Sequence, residues 1–112
     1  TAAHYAPRTP MRLVPAEKLA AVLETERQVT GRLGVLARRF TPPSGLPPEQ
    51  VLWWNAPPDA PGYARALYAT LRKFDAMNCR LLLVEVPPGD EAWRAVADRL
   101  QRAACGSGSD ET

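Results

Sequence analysis

Apolar positions recur along the chain with two periods, and prolines mark where one gives way to the other. The run MRLV at 11–14 is a short strand candidate. Pro15 suits a first helical turn, where its missing N–H is no loss. Ala16, Leu19, Ala20 and Leu23 then recur at helical spacing and predict an amphipathic helix to about Gln28, ended by Gly31. The segment RLGVLAR at 32–38 reads as a second strand, and VLWWN at 51–55 as a third. Pro61-Gly62 opens the longest predicted helix, about 61–77, on which Ala64, Leu67, Tyr68, Leu71 and Phe74 form one apolar stripe. Asn78 follows, a residue suited to a left-handed helix stop. LLLVEV at 81–86 is almost continuously aliphatic, the pattern of a strand buried on both faces at a central parallel position. Pro87-Pro88-Gly89 breaks it, and Asp90 is placed to cap a last helix through its carboxylate. On that helix Trp93, Val96, Ala97, Leu100 and Ala104 repeat at helical spacing.

This order of elements predicts an α/β fold. The expected form is a three-layer, Rossmann-like domain with a small, mainly parallel sheet of about four strands and three helices. Residues 1–10, with two prolines and no period, read as an extended arm. Residues 11–104 form the expected domain, and the tail CGSGSDET at 105–112 is expected to be disordered because it has nothing to bury.

Composition narrows the function classes. With 112 residues there is room for one domain, and 46% hydrophobic residues suffice for a core. Seven of the twelve prolines fall within 41–62, which excludes helix and a central strand over most of that stretch. Fourteen basic residues oppose twelve acidic ones, and the arginines are scattered. A dedicated polyanion binder would gather them into a patch; a mixed, solvated surface is expected instead. Cys79 and Cys105 form no Cys-x-x-Cys pair, so thiolate metal binding has no framework. Cys79, beside an apolar run, reads as a small buried hydrophobe. No segment has the length and apolarity of a membrane span or the pattern of a signal peptide, and a cytoplasmic setting is the default expectation.

The inventory for catalysis is thin. One histidine, His4, stands in the arm, and no glycine-rich loop follows a strand. Trp53 and Trp54 point to opposite faces of a strand and cannot make one stacking platform; one indole in the core and one half-covered is the favoured reading. Tyr68, Phe74 and Trp93 read as core. Asp75, Asp98 and Arg99 read as surface ion pairs or contacts to a loop rather than a polar site. Glu85 interrupts an aliphatic strand near its C-terminal end, where open α/β sheets gather ligands. A carboxylate capping a neighbouring loop, or paired with an arginine, is preferred for it. The chain alone is not expected to be catalytic.

What remains is His4-Tyr5-Ala6-Pro7, a contact element stiffened by proline. Read with Arg8-Thr9-Pro10 and the strand MRLV, it resembles the HYxP linker-to-domain junction of long-form L-threonylcarbamoyladenylate synthases. YARALYATLRKFDAMNCRLLLVEVPP at 63–88 and AVADRLQRAA at 95–104 are similar to the Sua-type C-terminal domain of that family. The matches span His4 to about Ala104. Asn78 stands where the family generally has glycine, residues 29–60 match loosely, and a Ser-Pro-Gly-Met-type segment expected before the histidine is missing.

The resemblance implies an accessory domain whose catalytic N-terminal domain is not in this chain, which would make the chain a fragment. The parent enzyme would condense L-threonine, bicarbonate and ATP, taken with Mg2+, into threonylcarbamoyl-AMP and pyrophosphate. That product feeds the tRNA threonylcarbamoyladenosine modification machinery. By analogy the arm is a lid over the catalytic mouth, with His4 and Tyr5 in contact and Pro7 setting its path. No cofactor is expected in the fragment itself. The alternative is a stand-alone α/β interaction module using the proline-rich 41–62 loop; weak tRNA binding through scattered arginines ranks third.

Overall fold

Strand β4 (Leu81–Glu85) is buried along its whole length because it lies inside the sheet, between β1 (Met11–Val14) and β2 (Leu33–Ala37). The computed structural model describes residues 6–108. The sheet runs in the order β1-β4-β2-β3, with β3 (Val51–Asn55) at the far edge, and every pairing is parallel. The continuous aliphatic run therefore does mark a central parallel strand.

Alternation along the strands divides the core in two. Leu82 and Val84 of β4 and Leu36 of β2 face α2 (Ala60–Ala76) and α3 (Arg94–Gly106). Leu81 and Leu83, with Leu33, Val35 and Ala37, face α1 (Ala16–Glu26) and the long loop after β2, which contributes Phe40 and Leu46. The result is the expected three-layer α/β arrangement of four strands and three helices. Gly34 lets α2 come close: a Cβ there would sit 2.8 Å from the Phe74 ring.

Local signals set most of the element ends. Asn78 takes φ 58° and turns the chain from α2 into β4. Pro15 occupies the cap position of α1, which ends at Glu26, two residues short of expectation. Asp59 caps α2, its carboxylate accepting from the Gly62 N–H at 2.8 Å ahead of a proline in the first turn.

Asp90 departs from expectation. Its carboxylate makes no capping hydrogen bond, and its backbone carbonyl accepts from the Trp93 N–H instead. The chain first makes a 3-10 turn at Glu91–Trp93, which buries the Trp93 indole edge-on against Tyr63, with centroids 5.5 Å apart. Packing of the indole overrides the local cap. The expected tail also begins too early, since α3 runs on to Gly106 and Ser107 and Gly108 contact the arm.

Candidate functional site

Open parallel sheets place ligands in the crevice beyond the C-terminal ends of their strands. Here that crevice holds Glu85, the last residue of β4, 4% exposed. Its Oε1 accepts the backbone N–H groups of Arg38, Arg39 and Phe40 at 2.7, 2.9 and 3.0 Å. Three converging amides are the kind of nest that cradles an anion, and the protein supplies its own. Burial raises the Glu85 pKa, but the three N–H bonds and the nearby Arg38 charge outweigh it and hold the carboxyl below its ordinary value.

The surroundings close this end further. The Arg38 guanidinium lies 4.8 Å from the Trp93 ring centroid and donates to the Pro58 carbonyl at 3.0 Å. Burial, and then the Glu85 charge, push the Tyr63 phenol upward, so it stays protonated. A cavity of about 10 Å³ beside Tyr63 and Leu67 has room for at most a single water. The capping role preferred for Glu85 is what the geometry gives, and its carboxylate is turned to the backbone of its own domain.

At the opposite end of the sheet the arm is fastened. Asp75, in the last turn of α2, uses both carboxylate oxygens: Oδ2 accepts the Arg8 N–H at 3.1 Å and Oδ1 the Thr9 N–H at 2.9 Å. Thr9 is 6% exposed and Pro7 is buried. The Pro7 carbonyl accepts from the Gly108 N–H at 3.2 Å, and the Ser107 hydroxyl accepts the Met11 N–H at 2.9 Å while donating to the Ala104 carbonyl at 2.8 Å. The ends of α2 and α3 thus grip the arm from Pro7 to Met11. His4 and Tyr5 lie outside the described residues.

The other singled-out residues are structural. Trp53 stacks on Phe40, centroids 5.8 Å apart, on the α1 side; Trp54 lies under the Lys73 ammonium, 4.1 Å from its ring centroid, on the α2 side. Both indoles are half-buried, because β3 is an edge strand with less to cover it. Asp98 pairs with Arg102 at 2.9 Å, and Asp75 contacts the arm, the kinds of contact expected of them. Cys79 is buried, and burial pushes its thiol up, away from the reactive thiolate form. The proline-rich loop is tied down at its start by Glu85 and through Phe40 and Leu46 in the core.

Among the described residues no group of three His, Cys, Asp or Glu could hold a metal ion, and no helix is long and apolar enough to cross a membrane. An open groove of about 460 Å³ beside Trp54, Thr70 and Lys73 has no carboxylate or thiol in its lining.

The family model described as threonylcarbamoyl-AMP synthase, C-terminal domain, matches residues 1–105. This chain belongs to that family. The match to the threonylcarbamoyl-AMP synthase C-terminal domain takes in the arm as well as the α/β core. No curated protein and no solved structure matches the chain.

Asp59 and Ser107 are two residues that sequence reasoning passed over. Asp59, followed by Ala-Pro-Gly, carries a legible cap signal. Ser107 carries none, since its partner Met11 is 96 residues away.

Proposed function

We propose that this chain is the accessory domain of a threonylcarbamoyl-AMP synthase and that it serves catalysis by presenting its arm, His4–Pro10, as a lid over the catalytic domain. The observation that carries this reading is the seat of the arm. Its backbone from Pro7 to Met11 is held by the Asp75 carboxylate at the end of α2 and by the Ser107 hydroxyl and Gly108 amide just after α3, while Glu85 at the sheet's other end is spent on the domain's own backbone.

The chemistry gives a lid something to do. Carboxylation of the threonine amine gives a carbamate, which reverts readily in water. Attack of its carboxylate on the α-phosphorus of ATP forms the mixed anhydride and expels pyrophosphate, and that anhydride is itself open to hydrolysis. Excluding water protects both species. His4 and Tyr5 are the lid's contact residues, and the buried Pro7 fixes where they leave the domain. The released threonylcarbamoyl-AMP supplies the group transferred to adenosine in tRNA.

The test is the His4→Ala/Tyr5→Ala double substitution in the intact synthase. Threonylcarbamoyl-AMP yield falls at least several-fold if the arm is a working lid. Unchanged turnover and yield would sink the reading.

A further inference from the structure

We propose that Asp75 is a positioning residue, whose carboxylate sets the register of the arm on the domain and thereby the point from which His4 and Tyr5 depart. This rests on the lid reading and extends it to a residue on a helix 66 positions away from the arm.

Asp75 stands where a helix has least use for it. A carboxylate in the last turn faces the negative end of the macrodipole, so α2 is weakened by its charge. Its value lies outside the helix. Both oxygens are spent on consecutive arm amides, a bidentate grip that fixes the orientation of the backbone as well as its distance. Neighbouring contacts act in the same direction. A Cβ at Gly106 would come within 3.1 Å of the Ala6 Cβ, and one at Gly108 within 3.2 Å of the Pro10 ring. The arm therefore runs through a channel with little slack between α2 and the turn after α3.

Reach follows from that grip. Three residues stand between His4 and Arg8, so chain length allows the histidine at most about 14 Å from the anchored amide, and Tyr5 at most about 11 Å. Pro7, with its fixed φ, removes further freedom from the span. A slip of one residue in the seat moves both contact residues by more than 3 Å, enough to spoil a lid's fit.

The experiment uses Asp75→Asn, with Ser107→Ala as an independent loosening of the same seat. Asparagine keeps the shape but turns an N–H donor toward one of the two arm amides. In this chain, amide hydrogen exchange at Arg8 and Thr9 rises about 10-fold or more, while exchange at Val35 and Leu83, in the core on the α1 side, stays as it was. In the intact synthase, the threonylcarbamoyl-AMP recovered per pyrophosphate released falls several-fold, because a misplaced lid admits water. Adding Asp75→Asn to His4→Ala/Tyr5→Ala then produces no further fall. A role confined to fold stability would leave that ratio untouched. If the arm amides are freed but the ratio is normal, while the His4/Tyr5 variant is impaired, Asp75 does not position the lid and the lid reading stands. If neither variant changes the ratio, the lid reading itself is lost. If both substitutions add their effects in full, Asp75 acts by another route and the inference fails.

Discussion

The two ends of the sheet use the same device for opposite purposes. At the strands' C-terminal end Glu85 gathers three backbone amides of the segment after β2; at the N-terminal end Asp75 gathers two amides of the arm. Glu85 is 4% exposed and ties the domain to itself. Asp75 is less buried and ties the domain to the segment that leaves it. The first carboxylate stands at the end where a Rossmann-like sheet normally works and is spent on the domain's own amides. The second opens a use for the fold at the other end. On the lid reading proposed above, the fold serves as a mount for the arm.

The contrast is sharpest in stability. Glu85→Ala leaves three amides without their acceptor in a closed site and costs about 3–5 kcal/mol. Urea denaturation reads this directly as a lower midpoint, and thermal unfolding as a melting temperature lower by more than about 10 °C. A loss under about 1 kcal/mol would show that the nest is satisfied by other means.

Acid denaturation comes next. The folded-state pKa of Glu85 is depressed by its N–H partners. Its contribution is therefore complete above the ordinary carboxylate range and is lost as pH falls through the lower folded value. Glu26, held by Arg80 at 2.8 Å and Arg12 at 2.9 Å, is lowered as well and acts in the same window. Glu85→Gln should flatten the acid limb of melting temperature against pH without abolishing it, the remainder belonging to Glu26. An unchanged acid limb would refute the assignment.

Asp75→Asn is the smallest effect on stability, about 1 kcal/mol or less in this chain. The lost arm bonds are partly offset by relief of the helix dipole. A drop as large as that for Glu85→Ala would erase the difference between the two ends and make Asp75 a core contact.

Much of the fold was legible because its signals are local. LLLVEV is buried on both faces wherever it packs, and Asn78 and Pro15 need only their neighbours to mark a helix end and a helix start. Asp90 was misread because the burial of Trp93 against Tyr63, 30 residues back in the chain, decides how α3 begins. The site is less legible for the same reason. Asp75 and Ser107 meet the arm across 66 to 96 positions, and no period or cap rule joins residues so far apart. The arm's own motif could be seen, but its seat could not.

The most direct test of the account is an intact synthase from which residues 11–108 of this chain are deleted, keeping the arm on the catalytic domain. The account predicts that threonylcarbamoyl-AMP yield falls to the level of the His4→Ala/Tyr5→Ala variant, with the catalytic domain still melting as a folded unit, because an unseated arm is no lid. Full yield from the deleted enzyme would contradict it, since the arm would then need no mount.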